Sequence, residues 1–594
     1  MELDLRECLL CSPLFNQLTS DTFEELFAAL EHIRIARGET LFEQGDEGDA
    51  FYFLATGRLK VVKKQQTVGQ MLPGESFGEL ALISDQPRAA TIIAARDCEL
   101  ARLPKSQFQQ IITKHPKLAV ELLKIMGSRL NQQQEQQEHK CQIITFVLLN
   151  QNDETLNLPS QVVSTLRQKH RAEHLSLKQL DSKLWQGASE SVSSTGATHH
   201  DGLTRWLSQH EEHFDYIILE TNQINSIWRE FCLRQADIVL YLVNAQDGTQ
   251  LLTEQLNSAS HANSEKELCI LHQSSSKVPT NTNRWLQHSS INKHHHLRMD
   301  SKTDVERLCR ELTGTAIALV LGGGGGRSFA QIGVIKAMLE LGIPIDRVAG
   351  TSMGAIIAAQ YAHGLSPEQL LDVNNDIWVK NKPHRNFSLP VTSLLKADKA
   401  VRLTKEVFFN REISDLWLDF FCISTDLTNL KAHQHNDGLI WPAILASGAV
   451  PSVCSSIVSD DGALLVDGGI LDNLPVEAMR KRHKGPIIAV DVSSDRGLAP
   501  RVTDTIPPNG WRALLDYINP WAKHRRYPHL FKIITHTATL ASKINADESR
   551  QLADLCIVPD CGDHSLMEMS NLEYLMEQGY KAALPELRQF SQQI

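Results

Sequence analysis

Between Pro13 and about Pro104 the chain alternates apolar and polar positions in short runs broken by glycine turns: ETLFEQGDEGDAFYFLATGRLKVV, TVGQMLPGESFGELALI and AATIIAARDCELARL. That period predicts a small antiparallel β-barrel. Ahead of it TSDTFEELFAALEHI opens on capping residues and carries apolar positions at helical spacing, and KSQFQQIITKHPKLAVELLKIMGSRLNQQQ does the same behind it, so helices should flank the barrel. The polar tract NQQQEQQEHK (131–140) lacks a hydrophobic period and marks a boundary. From Cys141 to about Asp300, strand-like runs (CQIITFVLLN, FDYIILE, ADIVLYLVNA, ELCILHQ) alternate with helical ones, which predicts a parallel α/β layer. It contains no glycine-rich phosphate loop, so no ATPase activity is expected of it. A second α/β region starts near Glu306. The expected division is therefore 1–135, 141–300 and 306–594, a multidomain α/β protein with an N-terminal β-barrel.

Composition narrows the class. At 594 residues, 42% hydrophobic and 22% charged, the chain has the make-up of several globular domains rather than a disordered or fibrous protein. A net charge of −11, from 59 basic against 70 acidic residues, argues against a nucleic-acid coat protein. No apolar run approaches the ~20 residues of a membrane span, and MELDLRECLL lacks the pattern of a signal peptide. Eleven scattered cysteines, with one C-x-x-C (Cys8, Cys11) and no second to pair with it, read as reduced thiols, which implies a cytoplasmic protein. His294-His295-His296 is expected to be a solvated loop rather than a metal site, and no metal is expected elsewhere.

The chemistry concentrates after residue 315. The apolar strand Ala316–Leu321 runs into five glycines, Gly322 to Gly326, then Arg327 and an apolar-periodic helix. Amides at such a turn suit either a nucleotide phosphate or the oxyanion of acyl transfer, and the GK[ST] of a P-loop is missing. Downstream, Gly350-Thr351-Ser352-Met353-Gly354 fits G-x-S-x-G between a short strand and an Ala-rich helix, the context of a nucleophile elbow. A serine needs a base, and Asp467, ending the strand of ALLVDGG, is the candidate. The rival is a Ser-His-Asp triad using His483, His524, His529, His536 or His564, none of which sits in a recognisable motif.

The glycine loop, G-x-S-x-G and Asp467-Gly468-Gly469, with CISTDLT (422–428) and AILASGAVPSV (443–453), together resemble the patatin-like phospholipases over about 300–590. The resemblance implies an α/β hydrolase with Ser352 as nucleophile, Asp467 as base and the amides of Gly323, Gly324, Gly325 and Gly326 as oxyanion hole. Ser328 stands where that family's pattern has its last glycine; if the position requires φ > 0, the serine there would cost about 1 kcal/mol and disturb the loop. An inactive, nucleotide-responsive scaffold is the alternative. The segment 386–409 mixes apolar and basic residues, as a lid, a membrane-resting surface or an ordinary packed helix would.

In the first region, GESFGELALISDQPRAAT (74–91) sets small residues beside Glu79 and Arg88. A guanidinium and main-chain N–H groups suit a cyclic phosphate and a carboxylate suits a ribose hydroxyl. The run resembles the phosphate-binding cassette of cyclic nucleotide-binding domains. That implies cAMP (or cGMP) held by Gly78, Glu79, Leu80, Ala81, Arg88, Ala89, Ala90 and Thr91, with Ala89 favouring cAMP. The module order, with CLRQADIVLYLVNA and GTSMGA, resembles the neuropathy target esterase group and implies (lyso)phospholipid as substrate.

Overall fold

A computed structural model describes the chain apart from residues 1–5, 7, 11, 13–14, 16–18, 65, 85, 116–140, 150–152, 178, 180–199, 222–226, 257–263, 288–289, 390, 494–508, most of 512–545, 563, 567 and 593–594. The expected linker at 131–140 falls outside the described residues, as do His524, His529 and His536. The chain forms two compact units, Met1–Leu271 with His288–His294, and His272–Gln287 with His295–Ile594.

In the first unit the N-terminal region forms two four-stranded antiparallel sheets rather than the expected single barrel. One runs Glu31–Ile35, Cys98–Pro104, Ala50–Thr56, Ser76–Phe77, and the other Thr40–Phe42, Thr91–Ala94, Leu59–Lys63, Gln66–Met71. No pairing closes the two sheets into a cylinder among the described residues, and Ala50–Thr56 is buried on both of its faces. Phe51 and Phe53 fill the side under the helices Ser20–Ala29 and Lys105–Lys114, while Tyr52 and Leu54 fill the space between the sheets. Beyond it lies a six-stranded sheet ordered Ala172–Ser176, Tyr216–Thr221, Gln142–Leu148, Ile238–Asn244, Glu265–His272, Lys293–Arg298, with its first five strands parallel. Its central strand, Ile238–Asn244, is buried at every position, as a parallel strand covered on both faces must be. His296 lies on the last strand, buried, its ring between His272 Nε2 at 2.9 Å and the Ser414 carbonyl at 2.8 Å, which corrects the expectation of a solvated loop.

The two sheet systems of the first unit are joined by ions. Asp237 accepts from Arg96 at 2.5 Å and Arg58 at 3.3 Å, Glu211 accepts from the same two arginines, and both guanidinia are buried. Arg37 donates to the carbonyls of Leu233, Arg234 and Ala236 at the end of the helix Ile227–Gln235, where free carbonyls and the helix dipole favour a cation.

The second unit is built on an eight-stranded sheet. Five strands are parallel, in the order Asp419–Asp426, Arg347–Thr351, Ala318–Leu321, Ile487–Val490, Leu555–Ile557. Leu464–Asp467 adds antiparallel on the outer side of Asp419–Asp426, with Asp467 opposite Ser424. The core strands Ala318–Leu321 and Ile487–Val490 are wholly buried. Helices Ala330–Glu340, Met353–Ala362 and Leu572–Phe590 cover one face through Ile332, Ile335, Ile357 and Leu575.

Candidate active site

The strand Arg347–Thr351 ends on Ser352, whose φ of 56° and ψ of −126° place a non-glycine residue in a sparsely populated conformation just before the helix Met353–Ala362. Such strain amounts to about 1–3 kcal/mol and persists only where neighbours hold it. The holders are visible. The Ser352 N–H donates to Ser447 Oγ at 2.9 Å, and that buried hydroxyl donates to the Ile423 carbonyl at 2.6 Å. Gly354 allows the turn to close against the neighbouring strand, since a Cβ there would stand 2.4 Å from the Leu321 carbonyl oxygen.

The Ser352 hydroxyl donates to Asp467 Oδ2 at 2.8 Å. The other carboxylate oxygen accepts the Gly469 N–H at 2.7 Å, the Asp467 N–H donates to the Ala449 carbonyl at 2.9 Å, and Thr425 Oγ1 donates to the Asp467 carbonyl at 3.0 Å. The carboxyl is therefore fixed in orientation at a position only 6% exposed. Burial pushes its pKa up to about 6 against the lowering effect of the Ser352 and Gly469 hydrogen bonds, and no cation is among the causes. At neutral pH it is largely ionised yet basic enough to accept a proton.

The glycine loop brings Gly323 beside the serine; a Cβ on Gly323 would lie 3.0 Å from Ser352 Cβ. Two of the four expected oxyanion amides are already engaged. Gly323 N–H donates to the Asn473 carbonyl at 3.1 Å, and Gly326 N–H donates to the Leu566 carbonyl at 2.9 Å. The Asn473 side chain returns a bond to the Gly323 carbonyl at 3.0 Å. The Gly323 and Gly326 amides are thus engaged within the protein, and Gly324 and Gly325 lie between them. Gly325 has φ 55°, and a Cβ on it would meet the Leu566 carbonyl oxygen at 2.0 Å, so both its backbone and its packing require glycine. Ser328 is not in the left-handed region: it sits inside the short helical turn Gly325–Phe329, buried, and the expected strain is absent. Arg327 Nε donates to the His564 carbonyl at 2.6 Å and so ties the loop to the C-terminal segment.

The histidines described stand elsewhere. His483 feels Arg347 and the Ala316 backbone, at the beginning rather than the end of the parallel strands. His564 Nδ1 lies 3.2 Å from the Cys561 carbonyl and its ring stacks on Tyr574. Sequence reasoning missed Ser447, Thr425 and Asn473. The first two lie in the segments AILASGAVPSV and CISTDLT, whose match to the hydrolase pattern was the available signal.

In the N-terminal sheets, Arg88 is buried, donates to Asp49 Oδ1 at 2.7 Å and to the carbonyls of Ala50 and Gly78, and lies 4.2 Å from the Phe42 ring centre. Gly78 takes φ 86°, which lets the Arg88 guanidinium close over it. Glu79 opens the helix Glu79–Ser84 and is buried with Ala81, Leu80 and Ala89 are exposed, Ala90 is half-buried, and Thr91 Oγ1 accepts the Gln44 N–H at 2.9 Å.

Three family models match the chain: patatin-like phospholipase at 319–480, cyclic nucleotide-binding domain at 32–115, and neuropathy target esterase family P-loop-like domain at 156–319. Patatin-like phospholipase domain-containing protein 6 of Pongo abelii is 30% identical over 86% of this chain and 41% of its own length. The Homo sapiens protein of that name is 28% identical over 93% and 44%. Lysophospholipase nte1 of Aspergillus terreus is 29% identical over 93% and 41%, so the chain spans less than half the length of these curated relatives. A solved structure, the regulatory domain of Toxoplasma gondii PKA with cAMP, is 32% identical over 18% of this chain and 44% of that one, at a TM-score of 0.18. On these matches the chain carries a patatin-like phospholipase region and an N-terminal cyclic nucleotide-binding domain, and resembles the neuropathy target esterase group across most of its length.

Proposed function

We propose that the chain is a serine esterase that hydrolyses acyl esters of phospholipids and lysophospholipids with a Ser352–Asp467 dyad. The observation that carries the reading is the 2.8 Å hydrogen bond from the elbow hydroxyl to a buried, cation-free carboxylate. Asp467 takes the Ser352 proton as Oγ attacks the ester carbonyl, and the Gly324 and Gly325 amides face the tetrahedral oxyanion. Collapse expels the alcohol, the lysophospholipid or glycerophospho-headgroup part, with the proton returned by Asp467. The same carboxylate then deprotonates water, which cleaves the acyl-serine and releases the fatty acid. Lipid as the acyl donor follows the names of the relatives, phospholipase and lysophospholipase.

The three-part division at 1–135, 141–300 and 306–594 belongs to this reading, as do a cytoplasmic location with peripheral membrane contact and a cAMP or cGMP ligand at Glu79 and Arg88. A fluorophosphonate probe tests the hydrolase: it labels the wild type and leaves Ser352→Ala unlabelled. A folded wild type that takes no label and cleaves no member of a lysophospholipid panel would instead favour the scaffold. Calorimetry with cAMP tests the ligand: heat from the full chain, none from Arg88→Ala. No heat from the wild type with either nucleotide removes the sensing role.

A further inference from the structure

Of the segment 386–409, Asp398–Phe408 is a helix, while the described residues of 386–397 ahead of it are not helical. Asn386–Leu389 and Val391–Lys396 pair as the two arms of a short hairpin: Phe387 bridges Leu395 antiparallel, the Ser388 N–H donates to the Leu394 carbonyl at 2.8 Å, and the Lys396 N–H donates to the Asn386 carbonyl at 2.8 Å. Its tip turns apolar side chains to solvent, with Phe387 68%, Leu389 83% and Val391 85% exposed. Three neighbouring large hydrophobics held in water by a hairpin need a partner.

The base of the hairpin is basic. Lys382 to Lys405 contains six lysines and arginines and one acid, Asp398, and that acid accepts from the Asn386 side chain at 2.9 Å. Lys382, Arg385 and Lys396 are exposed around the base. An apolar tip with a cationic collar complements the acyl boundary and phosphate layer of an anionic bilayer, whereas a protein partner or a second copy would need an acidic collar of its own around an apolar socket.

The hairpin also touches the site's own scaffold. Leu394 and Leu395 N–H donate to the carbonyls of Ser452 and Val453 at 3.0 and 2.9 Å, and Ser393 Oγ meets Ser455 Oγ at 2.8 Å. The same stretch of chain supplies Ser447, which holds the Ser352 N–H, and Ala449, which holds the Asp467 N–H. We propose that the Asn386–Lys396 hairpin is the element that docks the Ser352–Asp467 site onto an anionic phospholipid membrane, by inserting Leu389 and Val391 under a ring of Lys382, Arg385 and Lys396. The proposal deepens the hydrolase reading and rests on it for the choice of lipid.

The full chain is sedimented with phosphatidylcholine vesicles with and without phosphatidylglycerol. Wild type partitions to the anionic vesicles. Leu389→Asp with Val391→Asp lowers that partition by at least about tenfold, and Lys382→Gln, Arg385→Gln and Lys396→Gln together remove the preference for anionic lipid. Turnover of a monomeric short-chain ester stays within about twofold for both variants, a check that they are folded. Unchanged vesicle binding by the aspartate variant overturns the proposal, as does an aspartate variant that loses only self-association in light scattering. If the wild type cleaves no ester at all, the hydrolase reading fails while sedimentation still decides the docking.

Discussion

Asp237 and Asp467 are the same residue placed under covers of opposite electrostatics. Asp237 meets the guanidinia of Arg96 and Arg58, accepts the Ile143 N–H at 2.9 Å, and its pKa is lowered because those charges outweigh desolvation. Asp467 meets only a hydroxyl and one amide, and burial lifts it to about 6. The contrast shows what decides a buried carboxylate's task. With cations beside it, the carboxylate stabilises a junction and is a poor base; without them it is a proton acceptor whose ionisation works against folding.

Removing the two carboxylates should therefore separate activity from stability. Asp467→Asn lowers ester turnover by about a thousandfold or more, the scale of a lost general base with its nucleophile, measured as initial rates on lysophospholipid. Gly325→Ala comes next. Its Cβ would collide with the Leu566 carbonyl and its φ is unsuited to alanine, so turnover falls by about a hundredfold as the Gly324 and Gly325 amides move.

In urea unfolding Asp237→Ala costs about 3 kcal/mol, because the two buried guanidinia of Arg58 and Arg96 are left to share the Glu211 carboxylate. Asp467→Asn moves the opposite way. A carboxyl raised in the folded state favours folding fully below its unfolded pKa near 4 and loses that contribution as pH rises through about 6. At pH 7 the asparagine variant should thus be more stable than wild type by about 1–3 kcal/mol, a gain that vanishes below about pH 4. Asp237, held low, stabilises at neutral pH and gives that up as pH falls. A pair of variants that both destabilise at pH 7 would break the comparison. Ester turnover on the acid side should rise about tenfold per pH unit and level off above about 6. The smallest change is Ser328→Gly. Turnover shifts less than about threefold, and stability drops by roughly 0.5–1 kcal/mol for a glycine inside a helical turn.

What the sequence disclosed follows what is local. The elbow was legible because Gly350, Ser352 and Gly354 share one turn, and Asp467 because Asp-Gly-Gly closes a strand. The parallel layers showed in runs such as IVLYLVN, buried along their whole length. The engagement of Gly323 and Gly326 was not legible, because their acceptors come from Asn473 and Leu566, far along the chain. Pattern alone showed a run of amides and not which of them another segment occupies. The paired sheets were mistaken for one barrel because alternation reports that each strand has a buried side and says nothing about closure. His296 was assigned to solvent since three successive histidines look polar, although on a strand its ring turns inward to His272. The hairpin at 386–396 was ambiguous for a similar reason: apolar and basic residues in mixture fit a covered helix as well as an exposed tip.

The tie between Arg327 and His564 spans 237 residues, and the peptide oxygens of Leu566 and Glu568 press directly on Gly325 and Gly326. A growing polypeptide displays its elbow serine long before those residues leave the ribosome, a delay of roughly 10–50 s at ordinary elongation speeds. The glycine turn stays unbraced over that interval, so a nascent chain exposed to lipid would carry a nucleophile without its oxyanion cradle.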